Sequence, residues 1–245
     1  MITTLDHISI NVNDTAAAAV QTEMLLGRKV EGSLAQLGNV ALRLLHSAGK
    51  DGLQGLAFAV DNIDRNFKSA ERRALKPQPP GQGKSITLDV EATFGVPISL
   101  VERTHAAQSP QLAEGPVTGL DHVVVRTTHP NRAVAFYGAR LGLDLRLDRT
   151  EPRWGTRFMF FRCGDLIIEV VHNLNEPASD APDLLWGLTW RVDDIAAAHA
   201  RMSASGFDVS EMRTGRKPGT RVFTVRNNTL GVPTLILQPS LATAD

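Results

Sequence analysis

Short runs of alternating hydrophobic and polar residues recur along the chain, and most of them are followed by a stretch with helical periodicity. Leu5–Val12 alternates in this way, which is the pattern of a strand with one buried face. Asp14 can then cap a helix that ends near Gly27, because glycine favours the C-terminal end of a helix. Two shorter strand patterns follow between residues 34 and 46. This opening stretch predicts a β-α-β-β-β unit or one close to it.

The same unit recurs along the chain, and short identical motifs mark the recurrence. LDH at residues 5–7 returns at 120–122, Val-Asp at 60–61 returns at 192–193, and GVP at 95–97 returns at 231–233. Self-similarity of this kind indicates repetition of one supersecondary unit. We therefore predict an α+β fold of four βαβββ repeats, paired into two half-barrel domains.

One stretch without periodicity divides the chain in two. Residues 105–117 are rich in Ala, Gln, Pro and Gly, a composition typical of an interdomain linker. We expect one domain over residues 1–104, a linker over residues 105–117, and a second domain over residues 118–245.

Charge and composition narrow the function classes. Lys and Arg number 26, and so do Asp and Glu, so no global field attracts nucleic acid or an anionic membrane. Cys163 is the one cysteine, which rules out an internal disulfide and fits a reducing cytoplasm. The N-terminus shows no signal peptide, and no apolar run approaches the roughly 20 residues of a membrane helix. We expect a cytoplasmic protein without nucleic-acid or membrane partners.

The third repeat carries the candidate chemistry. Its first predicted strand contains His122, and its last contains Glu169. Alternation along each strand allows both side chains to point into one hollow. An imidazole and a carboxylate are metal ligands and also acid–base groups. A carboxylate among apolar residues is costly to bury unless it is paired or bound to a metal.

Five motifs resemble the vicinal oxygen chelate superfamily, which contains glyoxalase I, extradiol dioxygenases, bleomycin and fosfomycin resistance proteins and some epimerases. The motifs are GLDHVVV (119–125), AFYGARLGL (135–143), DLIIEVV (165–171), LTWRVDDIAAAHARMSASGF (188–207) and TLGVPTLIL (229–237). The resemblance covers nearly the whole chain and implies that both predicted domains are glyoxalase-like. It implies no single activity, because this scaffold hosts many chemistries.

The resemblance also implies where a divalent metal would be held, namely on the first and last strand of each repeat. Carried over residue by residue, these positions are His7 and Arg43, Gly55 and Ser99, His122 and Glu169, and Gly187 and Leu235. Only the third repeat keeps two donors, so the first domain has degenerate ligand positions. His7 would add a third donor only if repeats one and three paired, against the usual sequential order. A divalent metal on His122 and Glu169 is thus one alternative, and a pair between Glu169 and an arginine is the other.

Arginine and tryptophan residues of the second domain are candidates for substrate binding, because arginine binds carboxylates through two parallel hydrogen bonds. These candidates are Arg126, Trp154, Arg157, Trp186 and Arg191. Gly187 stands where a metal ligand would otherwise stand, and we expect it to leave space for substrate.

Two functions fit these residues. The first is an enzyme with lyase or isomerase chemistry on a small substrate that bears a carbonyl or carboxylate. Glu169, beside His122, would abstract a proton alpha to a carbonyl, and Arg126 or Arg191 would stabilise the enolate oxygen. The alternative is a non-catalytic protein that sequesters a small molecule, as the resistance members of the superfamily do. Either function implies a small-molecule ligand, and both are compatible with a homodimer.

Overall fold

The four predicted repeats are present in the computed structural model, which describes residues 1–79, 84–103, 109 and 111–240. Repeat one comprises β1 (Ile2–Val12), α1 (Thr15–Leu26), β2 (Leu34–Gln36) and β3 (Ala41–His46), and repeat two comprises β4 (Gly52–Val60), α2 (Ile63–Arg72), β5 (Ser85–Thr87) and β6 (Ile98–Glu102). Repeat three comprises β7 (Val117–Arg126), α3 (Pro130–Ala133), a π-helix (Val134–Arg140), β8 (Asp144–Glu151), a 3₁₀ turn (Pro152–Trp154), β9 (Thr156–Cys163) and β10 (Leu166–Asn173). Repeat four comprises β11 (Leu184–Val192), α4 (Ile195–Ala204), β12 (Arg213–Thr214), β13 (Arg221–Val225) and β14 (Thr234–Gln238).

The number of strands after the helix differs between the repeats. Repeats three and four have three such strands, whereas the described residues of repeats one and two form two. In repeat two, Pro77 makes only an isolated bridge to Leu88. Pro77 and Pro79 lack a backbone N–H, so neither can donate to a strand ladder.

Polar caps set where the helices begin. Asp14 accepts hydrogen bonds from the backbone amides of Ala16 and Ala17, both at 3.0 Å. Asp194 caps α4 in the same manner, with amides at 2.9 and 3.0 Å. Gly27 ends α1 in the left-handed conformation, with φ at 63°. The predicted cap and stop of the first helix are therefore confirmed.

The repeats form two sheets in sequential pairs. Repeats one and two supply a six-stranded sheet in the order β2-β3-β1-β4-β6-β5, and repeats three and four supply an eight-stranded sheet in the order β12-β13-β14-β11-β7-β10-β9-β8. The first and last strands of repeats two, three and four are parallel neighbours. The fold class is α+β, with the four repeats paired as predicted. Because repeat one pairs with repeat two, the condition under which His7 would join His122 as a metal ligand is not met.

The core of repeat three lies between its helical segment and one face of its strands. Val123 on β7, Ile168 on β10 and Phe161 on β9 are fully buried, as are Phe136 and Tyr137 on the π-helix. The two rings of the helix contact each other edge to face with centroids 4.9 Å apart. Alternation therefore leaves the opposite face of β7, β9 and β10 for residues with other roles.

The chain divides into two compact units that differ from the predicted domains. The first unit consists of Met1–Ser9, Gln54–His105 and His122–Trp186, and the second consists of Ile10–Leu53, Ala106–Asp121 and Gly187–Asp245. Of the predicted linker, residues 105–108 and 110 lie outside the described residues. The boundaries at residues 104 and 118 stay a prediction.

In both units an arginine side chain donates to carbonyl groups at the end of a helix. In the first unit, Arg140 donates from Nε to the carbonyl of Arg73 (3.0 Å) and from Nη2 to that of Ala74 (2.5 Å). In the second unit, Arg201 donates to the carbonyls of Met24 and Leu25, at the end of α1. The last carbonyls of a helix have no partner within the helix, so these contacts complete both helix ends. None of the helices among the described residues has the length and apolar character that crossing a bilayer requires.

Candidate functional site

His122 and Glu169 lie on neighbouring parallel strands, and the register puts them on one face. His122 pairs with Ile167, and Glu169 pairs with Val124. The four side chains therefore point to the same side of the sheet, away from the helical segment of repeat three. The Nε2 atom of His122 lies 3.1 Å from the Oε2 atom of Glu169. The structure therefore brings the two side chains into contact, as the sequence predicted.

The two side chains are mostly buried but reach the surface. The exposed fraction is 18% for the His122 side chain and 12% for that of Glu169. A carboxylate this far removed from water requires a hydrogen-bond or charge partner, and the imidazole supplies one. The pair is thus both shielded and accessible, as acid–base chemistry on a bound ligand requires.

Three rows of side chains cross β7, β10 and β9 on this surface, which we call the His122 face. The rows are His122, Ile167 and Arg162; Val124, Glu169 and Phe160; and Arg126, Val171 and Phe158. Glu169 therefore stands between an aliphatic and an aromatic side chain. The rings of Phe158 and Phe160 have centroids 6.2 Å apart, and Trp154 contacts Phe158 edge to face at 5.9 Å. The His122 face thus combines the polar pair with aliphatic and aromatic side chains, and it carries one arginine at each end.

Phe158 and Phe160 were not among the sequence-predicted site residues. The signal was available, because in TRFMFFRC (156–163) the residues Met159 and Phe161 are the buried set of the alternation. Phe158 and Phe160 are then the residues that face the other side.

Arg157 lies on the other face of the sheet, apart from this surface, and its predicted role in substrate binding stays a prediction. It pairs with Thr150 and alternates with Phe158, so it points to the helical side of the sheet. There it donates to both carboxylate oxygens of Asp148, at 2.8 and 2.7 Å, and to Asn131 at 2.9 Å. The hydrogen bond from Arg157 holds the pKa of Asp148 below its usual range. Arg157 therefore has a structural role.

Arg126 and Trp186 lie together at one end of the His122 face. The guanidinium carbon of Arg126 lies 5.4 Å from the centre of the Trp186 ring, which is 45% exposed. Stacking of this kind is a cation–π contact. Trp154 is also half exposed, at 51%. Both tryptophans are therefore available at the surface of the first unit.

Arg191 belongs to the second unit. Its Nε atom lies 3.7 Å from the Oδ1 atom of Asp121. Its predicted role in substrate binding stays a prediction. Trp190, next to it on β11, is 1% exposed and lies in the core.

The glycines at the ligand positions of repeats two and four have a packing reason. A Cβ atom on Gly187 would lie 3.0 Å from the carbonyl oxygen of Pro233, and one on Gly55 would lie 2.9 Å from that of Pro97. In each repeat the next residue donates its amide to the same carbonyl at 3.0 Å. The expectation that Gly187 leaves space for substrate is therefore wrong, because the space is taken by the backbone of the neighbouring strand.

The donor set falls short of a protein-held metal. A separation of 3.1 Å suits two ligands of one ion, but catalytic metal sites generally take about three ligands from the protein. Among residues 1–79, 84–103, 109 and 111–240, no group of three His, Cys, Asp or Glu side chains could hold a metal ion. The Nδ1 atom of His7 lies 2.8 Å from the Oδ1 atom of Asp6, on the six-stranded sheet. His122 and Glu169 alone therefore do not fit a resident catalytic metal.

Comparison with known proteins gives one family match. Residues 119–229 match the family model described as Glyoxalase/Bleomycin resistance protein/Dioxygenase superfamily. No curated protein matches the chain in sequence.

Three solved structures illustrate the similarity in fold. A mutant of 4-hydroxymandelate synthase from Streptomyces coelicolor has a TM-score of 0.75 at 15% identity, covering 100% of this chain and 95% of that one. The Mn(II)-bound glyoxalase from Novosphingobium aromaticivorans has a TM-score of 0.71 at 18% identity, covering 97% and 82%. A catechol 2,3-dioxygenase has a TM-score of 0.69 at 16% identity, covering 99% and 90%. At these identities the likeness is one of fold.

Proposed function

We propose that this chain is an enzyme acting on a small oxygenated organic molecule, a proposal supported by the match of residues 119–229 to the family model of the glyoxalase, bleomycin resistance and dioxygenase superfamily. The observation that carries the proposal is the contact between His122 and Glu169, at 3.1 Å on a largely apolar face. A shielded pair of this kind has a stability cost that a functional role would explain.

The chemistry proposed for the pair is proton transfer at a carbon alpha to a carbonyl. Glu169 takes the proton as general base, and the electron pair of the broken C–H bond forms an enolate. Return of the proton to the same or a neighbouring carbon completes an isomerisation. Departure of a leaving group from the adjacent carbon completes a lyase reaction. His122 holds the carboxylate in position through Nε2.

The apolar surface around Glu169 has two roles in this proposal. Phe160 and Val124, which flank Glu169, shield the carboxylate and the reacting carbon from water. Phe158 and Trp154 extend this surface and contact the body of the substrate.

No metal enters these steps. This is tested by the metal content of the protein, measured by elemental analysis after purification without chelator. Because His122 and Glu169 supply only two donors, we expect less than one metal ion per chain, and the same metal content in the Glu169→Ala variant. A stoichiometric metal that is lost in Glu169→Ala would assign the pair to metal binding instead.

Hydrogen–deuterium exchange at carbon tests the proposed reaction with simple carbonyl compounds in place of the natural substrate. Small 2-keto acids and 1,3-dicarbonyl compounds are incubated with the protein in D₂O, and loss of the alpha-proton signal is followed by NMR. We expect exchange with the wild type, a loss of about 100-fold or more in Glu169→Gln, and a smaller loss in His122→Asn. Glu151→Gln is the matched control, because Glu151 lies on β8 and pairs with Arg149 at 2.7 Å. Equal rates in Glu169→Gln and wild type would reject Glu169 as the base.

The second candidate function is sequestration of a small molecule without turnover. It is favoured by the ligand positions of repeats two and four, which hold no metal-binding side chain at Gly55 and Gly187. Saturable binding of a carbonyl compound that depends on His122 and Glu169, with no exchange at carbon, would select this function.

A further inference from the structure

Arg126 occupies the opposite end of the His122 face from His122 itself. The two residues are four apart on β7, so their Cα atoms are separated by about 13 Å along the strand. Arg126 lies two residues, or about 7 Å, beyond Val124, which pairs with Glu169. On β7, β10 and β9, the side chains that flank Arg126 on the side of the pair are apolar, namely Val124, Val171 and Phe158.

The guanidinium of Arg126 is held but its hydrogen-bond donors are uncommitted. Its one contact among the described residues is the stacking on Trp186, at 5.4 Å. By contrast, two other arginines of the first unit have carboxylate partners, Arg132 with Asp183 at 2.8 Å and Arg149 with Glu151 at 2.7 Å. A stacked guanidinium keeps its planar N–H edge available for a carboxylate, which it binds through two parallel hydrogen bonds.

We propose that Arg126 binds the carboxylate of an organic acid whose apolar body lies on Phe158 and Phe160 and whose reacting carbon lies at Glu169. This inference rests on the proposed function and specifies its substrate class. Arg126 then acts as the anion-binding residue at the distal end of the substrate, and Trp186 positions its guanidinium. The sequence-based role of Arg126 at the enolate oxygen is replaced by this one.

Arg162 provides a matched control on the same face. It lies in the row of His122, at the other end of the surface from Arg126. Its Nε atom donates to the carbonyl of Gly164 at 3.0 Å, and its side chain is exposed. Replacement of Arg162 removes the same charge from the same face without touching the proposed carboxylate site.

The test compares carboxylates with their neutral amides. Phenylacetate, hydrocinnamate and phenylbutyrate, together with the three corresponding amides, are titrated into the full chain, and binding is followed by ligand-observed NMR. We expect the best acid to bind about tenfold or more tightly than its amide, since a charge-assisted pair is worth about that factor. Arg126→Gln removes this preference, Arg126→Lys retains part of it, and Arg162→Gln leaves it unchanged.

Three outcomes overturn the proposal. The first is a preference for carboxylates that survives in Arg126→Gln, and the second is a preference that is lost in Arg162→Gln. The third is no saturable binding of any acid up to about 10 mM, a concentration at which one charged pair on an apolar surface should be detected. The exchange experiment separates this failure from failure of the proposed function. Exchange at carbon that depends on Glu169 but is equal for neutral and acidic carbonyl compounds keeps the function and rejects Arg126 as its anion site.

Discussion

Arg73 and Arg140 donate to each other's backbone carbonyls. The Nη1 atom of Arg73 lies 3.1 Å from the carbonyl oxygen of Arg140, and the Nε atom of Arg140 lies 3.0 Å from that of Arg73. Two like charges are thus brought together because the carbonyls at two helix ends attract them. Repeats two and three are joined by this contact within the first compact unit.

The helix-end arginines should differ in their effect on stability. Burial lowers the pKa of both Arg140 and Arg201, and the contact of Arg201 with Leu25 is the more buried. We expect Arg140→Met to cost about 0.5–1.5 kcal/mol, because its contacts are exposed and water can replace the lost donor. Arg201→Met should cost about 1–3 kcal/mol, because the partly buried carbonyls of Leu25 and Gly115 lose a donor that water replaces poorly. Urea unfolding measures both. Arg146→Met is the control, since Arg146 is exposed in its pair with Asp144, and should stay within about 0.5 kcal/mol. A larger cost for Arg140 than for Arg201 would contradict this.

The pair of Asp148 and Arg157 should make stability depend on pH. The pKa of Asp148 is lowered in the folded state by the hydrogen bond from Arg157. The pair therefore stabilises the fold above the pKa of an unfolded Asp, near 4, and this contribution is lost as pH falls through the lower folded value. Asp148→Asn should cost about 0.5–1 kcal/mol at pH 7, after allowance for partial exposure. Urea unfolding at pH 7 and near pH 3 should show the difference between wild type and variant shrinking in acid. A difference that grows in acid would refute it.

A larger residue at Gly55 should destabilise the fold. Its Cβ would meet the carbonyl oxygen of Pro97 at 2.9 Å, and displacement of that carbonyl would strain the hydrogen bond from Leu56. We expect Gly55→Ala to cost about 1–3 kcal/mol, the range for overpacking. Gly52→Ala on the same strand meets nothing within 4 Å and is the matched control. Thermal unfolding of the two variants gives the comparison, and equal midpoints would show that the strand shifts freely.

Cys163 should be inert towards thiol reagents. Its side chain lies in the core, and burial raises its pKa to about 12. At pH 8 only about one thiol in ten thousand would then be ionised. Reaction with a disulfide reagent at pH 8 should be at least about 100-fold slower than that of free cysteine, and should recover in urea. Rapid labelling of the folded protein would show that β9 opens.

The sequence predicted what depends on local periodicity. The strand and the helix that open each repeat, the cap at Asp14, the stop at Gly27 and the alternation along the strands of His122 and Glu169 follow from patterns within a few residues of each other. The sequential pairing of repeats was expected from connection rules. Each of these features is set by short-range geometry that the residues themselves encode.

Features that depend on register between distant strands were not predicted. Arg157 points away from Glu169 because of its place in β9, and its partner Asp148 is selected by a bulge in β8 between Leu145 and Leu147. Such a bulge changes which residues face each other, and no local pattern marks it. The closeness of Pro233 to Gly187 is likewise a contact between strands that are far apart in sequence.

The approach of Pro97 to Gly55, and of Pro233 to Gly187, constrains how this protein can change. A point mutation that placed histidine at either glycine would be selected against for folding before its chemistry could be tested. A metal-ligand side chain at Gly55 or Gly187 would first need the backbone at Pro97 or Pro233 to move, and so at least two coordinated mutations. Divergence between the repeats, once made, is difficult to reverse.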